Sequence, residues 1–238
     1  MASVLDICNI ALANLGDAAT VSSIDPPEGS AQAEHCARFY PIARDTLLEM
    51  HDWAFASKRA PLAPLTNPVT QWTYCYACPA DMINPIAVLD SAATDDLASV
   101  IPWANPQFAE WYGYGSTPIV GTPSQQPYTH ESLSDGTPVI YTNQASALLR
   151  YTARVEDTTR FSPLFVRLLA AYLSSLLAGP VLKGDAGVAA AARWSTIAFG
   201  PPEARGRGGL FSAAAESDAG QKRDPVRNHH AVDWLTGR

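Results

Sequence analysis

The sequence predicts a mainly α-helical α+β protein, with a helical bundle core, a small antiparallel β-sheet at its side and an extended carboxy-terminal tail. Apolar residues recur every three or four positions over residues 2–59 and 162–199, as in helices that bury one face. Short alternating runs broken by proline and glycine fill residues 60–155. Few large apolar residues occur in 203–238, so we expect one domain at 1–202 followed by a tail.

The two amino-terminal helices are predicted from their caps and stops. The Ser3 hydroxyl can accept a hydrogen bond from the first turn of a helix that ends at Gly16. A second helix should run from about Ser30 to His51. Pro41 lies inside it, and a proline removes one helical hydrogen bond and clashes with the preceding turn, so we expect a kink or a split there.

Two more helices are predicted after residue 160. Pro163 suits a first helical turn, and Gly179-Pro180 should end that helix. Its apolar face is broad and comprises Phe165, Leu168, Leu169, Tyr172, Leu173, Leu176 and Leu177. The apolar run from Leu168 is shorter than the ~20 residues needed to cross a bilayer, which favours a buried helix of a soluble protein. An alanine-rich helix should follow from Asp185 to about Phe199.

The middle of the chain contains five strand candidates, namely residues 71–77, 83–89, 127–133, 139–142 and 146–155. Turn residues at 134–137 and 142–145 predict hairpins that join the last three strands. Residues 90–126 are too long for an ordinary connection and predict a functional loop or insertion. Its aromatic residues, Trp103, Trp111, Tyr112 and Tyr114, lack basic neighbours, which favours packing or a protein interface over base stacking.

The charge of the chain disfavours a nucleic-acid-binding surface. The formal net charge is −7, whereas non-specific affinity for nucleic acid comes mostly from lysine and arginine on phosphates. The tail is different, because residues 203–238 hold six basic and five acidic groups. The four cysteines are sparse and no basic-then-apolar leader begins the sequence, so we expect reduced thiols in a protein made in a cytoplasm.

The candidate catalytic and metal-binding motifs are weak. Cys75 and Cys78 lie three apart in a predicted strand, so their thiols should point to opposite faces. There is no second CxxC and no histidine pair nearby. His35 and Cys36 are adjacent on a helix and face different directions, which argues against a nucleophile and its base.

Two further motifs have a simple structural interpretation. Arg205-Gly206-Arg207-Gly208-Gly209 lacks the lysine and the preceding strand of a P-loop, and we interpret it as a flexible basic hinge. His51-Asp52 should end the second helix, and His229-His230 should be solvated. We therefore expect no catalytic residue, no metal ligand and no cofactor-binding residue.

Three segments, taken in order, point to a family. They are Trp53-Ala54-Phe55-Ala56 after the second helix, Tyr74-Cys75-Tyr76-Ala77-Cys78-Pro79-Ala80-Asp81 in the strand region, and Tyr141-Thr142-Asn143 before Arg150-Tyr151. With this spacing the chain resembles the head-to-tail adaptor proteins of tailed bacteriophages, also called tail tubular protein A or head–tail connector. The resemblance spans residues 2–65, 72–89 and 138–199. Relatives have leucine where this chain has Cys78, and they lack so long a loop at 90–126.

The resemblance implies a structural virion protein and not an enzyme. Such adaptors form a dodecameric ring under the portal protein, pass DNA through the lumen without binding it specifically, and contact a downstream tail or nozzle protein. The implied location is the head–tail junction of a virion assembled in the host cytoplasm, with no membrane and no cofactor. The end of the chain, 233–238, is similar to the way these proteins end.

The tail contains the predicted partner-binding residues. Trp234 and Leu235 form an apolar anchor in a polar segment, and such anchors often dominate docking interfaces. Arg227 and Arg238 can pair with carboxylates on the portal or on a neighbouring subunit. The alternative function is an intracellular enzyme or small-ligand-binding protein with a pocket near residues 90–126. A DNA-packaging factor would require a basic face.

Overall fold

The computed structural model describes residues 2–92, 125–204 and 208–220, and within them it confirms the predicted α+β class. Five α-helices and two small antiparallel sheets occur in these residues. The chain divides into two compact units, one formed by Met1–Ala56 with Arg154–Arg238 and the other by Ser57–Ala153. The first unit holds the helices and the second holds the strands.

The helical unit is built around one long apolar helix. Its helices are α1 (Val4–Asn14), α2 (Ala31–Met50), α3 (Pro163–Leu182), α4 (Gly184–Phe199) and α5 (Gly209–Ala219). α3 packs against the other four, and Leu168, Leu169, Leu173 and Leu177 on it are fully buried. α3 is long and apolar enough to cross a membrane by length and composition alone, but half of that window is buried inside the protein, as in a core helix.

Serine caps fix where the helices begin. Ser3 Oγ accepts from the Asp6 N–H at 3.1 Å, and Asp6 Oδ2 accepts from the Ser3 N–H at 2.8 Å. Those hydrogen bonds from Ser3 lower the pKa of Asp6. Ser30 and Ser162 cap α2 and α3 in the same way. α2 is a single helix through Pro41, so the predicted split is wrong; Pro41 is exposed, and water can satisfy a carbonyl that loses its helical donor.

The strand unit contains two four-stranded sheets and not one. The strands are β1 (Ser57–Pro61), β2 (Ala63–Leu65), β3 (Tyr74–Ala77), β4 (Met82–Asp90), β5 (Gln125–Gln126), β6 (Tyr128–Ser132), β7 (Pro138–Thr142) and β8 (Ala147–Ala153). One sheet has the order β1-β8-β4-β5 and the other β2-β3-β7-β6, with every pair antiparallel. All five predicted strands are present, with ends that differ by a few residues.

Two predictions about this unit are wrong. β6 and β7 form the expected hairpin, but β7 and β8 are central strands of different sheets and do not pair. Residues 57–59, assigned to the helical core, begin β1, which the sequence pattern missed. β1 carries Lys58, Arg59 and Pro61, which are typical of an edge strand and hide the alternating pattern of a half-buried one.

The predicted extended tail is partly helical. Residues 209–219 form α5, which packs on α3 and α4 and buries Phe211, Ala214 and Asp218. The sequence concealed this helix because Phe211 is its one large buried apolar residue and a glycine lies at its cap. The tail from residue 221 to the end lies outside the described residues.

Candidate functional site

The first motif, 53–56, lies at the centre of the helical unit. α2 ends at Met50, and His51 takes an extended conformation that turns the chain back. Trp53 is 1% exposed, and its Nε1–H donates to the Leu47 carbonyl at 2.7 Å. Its ring makes an edge contact with Phe165 of α3 at 5.0 Å between centroids. The indole is therefore a packing group whose one polar atom is satisfied.

Phe55 extends this aromatic cluster. Its ring lies 5.0 Å from Phe165 and 5.5 Å from Phe161. The Arg160 guanidinium donates to the Phe55 carbonyl, which ties the turn before α3 to the motif. The Trp-Ala-Phe-Ala segment thus joins the end of α2 to the beginning of α3.

α5 contacts the same segment from a distant part of the sequence. The Phe211 ring lies 6.1 Å from Trp53 and 6.4 Å from His51. Asp218 Oδ1 accepts from the Ala54 N–H at 2.8 Å, and Asp218 Oδ2 lies 3.4 Å from His51 Nε2. The Asp218 side chain is only 7% exposed. We call these five residues, His51, Trp53, Ala54, Phe211 and Asp218, the tail anchor.

Two glycines let α5 approach α4 closely. Gly200 has φ +82°, and a Cβ on it would lie 2.8 Å from the Gly208 Cα. Gly209 has φ +59°, and a Cβ on it would lie 2.5 Å from the Ile197 carbonyl oxygen. A side chain at either position would meet rigid backbone, so the connection requires glycine. The tail anchor and these glycines fix the point from which residues 221–238 continue.

A small ion-pair network lies where the chain returns to the helical unit after β8. Arg44, which is 7% exposed, lies with Nε 2.8 Å from Asp45 Oδ1. Arg154 Nε lies 3.1 Å from the other oxygen of the same carboxylate, and Glu156 is 3.9 Å from Arg44. Since Arg154 and Glu156 follow β8 directly, this network holds the returning segment on α2.

The second motif, 74–81, ends in a residue that connects strands. Asp81 Oδ2 lies 2.6 Å from Lys58 Nζ on β1, and Asp81 Oδ1 accepts from the Tyr151 hydroxyl on β8 at 2.9 Å. The hydrogen bond from Lys58 is the main cause that lowers the pKa of Asp81. Burial, with the bond to Asp81, raises the pKa of Tyr151 to about 12, so the phenol stays protonated and donates.

The third motif, 141–143, serves as a connector between strands. Asn143 Oδ1 accepts from the Thr73 N–H at 2.9 Å and from the Thr73 hydroxyl at 3.0 Å. The buried Thr142 hydroxyl donates to the Pro127 carbonyl at 2.9 Å. All three motifs that carry the family resemblance therefore make packing and hydrogen-bonding contacts inside a unit.

Three of the four thiols are in surroundings that disfavour the reactive thiolate. The hydrogen bond with Cys8 lowers the pKa of the fourth, Cys36, which is fully buried. All four cysteines are free, and Cys8, Cys36 and Cys75 are buried. The hydrogen bond between Cys8 and Cys36, together with burial, raises the pKa of Cys8. Burial raises the pKa of Cys75 and raises that of Cys78 to about 11. A nucleophilic cysteine requires the opposite shift.

All four residues that the sequence predicted to bind partners, Arg227, Trp234, Leu235 and Arg238, are outside the described ranges. The same holds for Arg205, Arg207, His229 and His230, and for the aromatics of the 90–126 loop, Trp103, Trp111, Tyr112 and Tyr114. Among the residues that the structure does describe, no group of three or more His, Cys, Asp or Glu could hold a metal ion.

An open depression of about 660 Å³ lies where α3 meets α4. Leu176, Gly179, Gly187, Val188 and Ala191 form most of its apolar wall, and Asp185 is its one ionisable lining residue. A single carboxylate at an open surface does not provide a nucleophile with a base, or an acid with a base.

Comparison with known proteins adds no assignment. No model of a known protein family matches the chain, and no curated protein matches it. The sequence motif included Trp53 and Ala54 of the tail anchor but missed Phe211 and Asp218, since no local pattern distinguishes a buried aspartate on α5 from its exposed neighbours.

Proposed function

We propose that this protein is a structural virion component, a head-to-tail adaptor that joins the portal to the tail as a ring and forms part of the DNA channel. The observation that carries the proposal is the ordered set of three motifs, 53–56, 74–81 and 141–143, with the spacing seen in these adaptors. Each motif supplies interior contacts to its unit, and such contacts are what a shared fold retains.

The chemistry of the described residues also supports a passive role. The raised pKa values of Cys8, Cys75 and Cys78 disfavour the thiolate that a nucleophile requires, and Cys36 is fully buried. A formal charge of −7 would let DNA slide past a channel wall without being held.

In the proposed adaptor, the tail anchor would hold the beginning of the docking segment in place. A docking segment transmits force only if its root is fixed, and Asp218 and Phe211 fix α5 on the end of α2. In this proposal residues 221–238, with Trp234, Leu235, Arg227 and Arg238, reach the portal or a neighbouring subunit from that fixed root. Carboxylates on the partner would pair with the arginines.

Attachment to DNA-filled heads that lack this protein tests the proposal. The full chain should bind the heads and yield particles that accept tails. A chain ending at Gly220, which keeps all of α5, should stay folded by circular dichroism and lose attachment. Replacement of Trp234 and Leu235 by alanine should lower attachment at least tenfold. If the full-length protein does not bind heads or portal at micromolar concentration, the adaptor function is excluded.

A further inference from the structure

α4 leaves most of its surface to solvent although it is rich in apolar residues. Only Gly187 and Ala198 are buried among its 16 residues. Val188 is 71% exposed, the highest value among the exposed large hydrophobic residues in the described ranges. The outward face also contains Asp185, Ala189, Ala192, Arg193 and Thr196. We call these six residues the α4 face.

α2 has a second exposed apolar stripe on the side away from the core. Ile42 is 52% exposed and Met50 is 42% exposed. Arg38 lies one turn before Ile42. Arg38, Ile42 and Met50 form the α2 stripe. Both surfaces leave apolar side chains in solvent, where a partner can cover them.

We propose that the α4 face of one copy of this chain packs on the α2 stripe of a second copy, with the helices side by side and parallel. Placing Ala189 opposite Ile42 sets the register. Asp185 then lies opposite Arg38, because each comes four residues earlier on its helix. An opposite-charge pair then lies beside the apolar contact, and this register brings the pair together.

The small residues of the α4 face fit the α2 stripe of a second copy. Ala189 and Ala192 leave room for the larger Ile42 of the neighbour, so the helix axes can approach to the roughly 8–10 Å of packed helices. Two different patches that meet in this way give a heterologous contact, which propagates from subunit to subunit and forms a ring when the rotation between subunits closes. The inference therefore names the subunit contact of the proposed adaptor and rests on that proposal.

The contact should be weak in isolation. One pair of helices buries less than the ~800 Å² per partner typical of stable complexes. Cross-linking is therefore a better assay than chromatography. Variants with one accessible cysteine would be made in a Cys78→Ser background, since the other three native thiols are buried. Ile42→Cys and Ala189→Cys are both at exposed sites, so folding should be unaffected, as circular dichroism can verify.

An equal mixture of Ile42→Cys and Ala189→Cys, oxidised with glutathione disulfide, should give a covalent heterodimer. Each variant alone should give little, and a chain that carries both cysteines should give a ladder beyond the dimer. The control partner is Ala213→Cys, an exposed alanine of α5 outside the α4 face. A mixture of Ile42→Cys with that control should give only background cross-linking.

Charge reversal tests the register. Arg38→Asp in the Ile42→Cys chain, or Asp185→Arg in the Ala189→Cys chain, should each lower heterodimer yield by roughly three- to tenfold, as expected for a surface pair made repulsive. Both reversals together should restore the yield. The pairing is wrong if the mixture does not exceed the control, or if Ala189→Cys alone dimerises equally well. No heads or portal are involved, so this failure would leave the attachment experiment to decide the adaptor function.

Discussion

Asp218→Ala is the most informative single substitution in the helical unit. Asp218 Oδ1 accepts from the Ala54 N–H at 2.8 Å, and its side chain is 7% exposed. Removing it leaves a backbone donor without its acceptor and His51 without its neighbouring carboxylate. A hydrogen bond to a charged group contributes about 1.5–3 kcal/mol, and we expect a loss of that size. Asp218→Asn keeps an oxygen for Ala54 and should cost about 1 kcal/mol or less.

The assay should separate global from local unfolding. Urea unfolding followed by circular dichroism gives the free energy of unfolding, and hydrogen exchange reports on α5 itself. If α5 opens as a local unit, its amides in Asp218→Ala should exchange roughly ten- to hundredfold faster, the factor that corresponds to about 1.5–3 kcal/mol. Amides of α1 should then change little.

The residue that precedes Asp218 provides the control substitution. Ser217 neighbours Asp218 on α5 and is exposed, so Ser217→Ala should change stability by less than about 0.5 kcal/mol. The role assigned to Asp218 fails if Asp218→Ala matches Ser217→Ala in both assays. It also fails if Asp218→Asn is as damaging as the alanine variant, because the hydrogen bond to Ala54 would then not explain the effect.

Three other predictions concern the core, the strand unit and the thiols. Leu169 is fully buried, so Leu169→Ala should lower the free energy of unfolding by about 2–5 kcal/mol. Leu176 is half-buried, so Leu176→Ala should lower it clearly less, and equal losses would contradict the packing of α3. The folded pKa of Asp81 is lowered, so its stabilising effect is present above the unfolded value of about 3.9 and is lost as pH falls through the lower folded value. Stability of Asp81→Asn should therefore fall less steeply below about pH 4 than that of the wild type, and parallel curves would exclude this contribution. Replacing all four cysteines by alanine should lower stability and leave attachment to heads intact. Loss of attachment in a variant that is still folded would show that assembly depends on the thiols.

The sequence was sufficient for the beginnings of the first helices, where the signal is local. Ser3 and Ser30 cap the helices that they were expected to begin, because capping involves residues within three positions. The predicted stop at Gly179-Pro180 is wrong, since α3 continues to Leu182. The apolar face of α3 was evident from its spacing, and its leucines are the buried core. Trp53 lies directly after α2, as the sequence predicted, but its contact with Phe211 of α5 was not predicted.

Partner choice between strands could not be obtained in this way. β7 and β8 are both rich in strand-forming residues, and a turn separates them, so a hairpin was the local expectation. In the structure Thr142 on β7 pairs with both Tyr74 and Tyr128, which leaves β8 to pair elsewhere. Which strands pair depends on all the strands of a sheet, and a short segment of sequence does not include them.

The sequence by itself determined the fold class, four of the five helices and the positions of the three motifs. Only the tertiary structure placed Asp218 against the Ala54 N–H, across 164 residues of sequence, and turned part of the expected tail into α5. A carboxylate on a short polar helix reads as solvated until the donor that it meets is known. Burial of that carboxylate is a property of the contact between two distant segments, and that contact exists only in the folded chain.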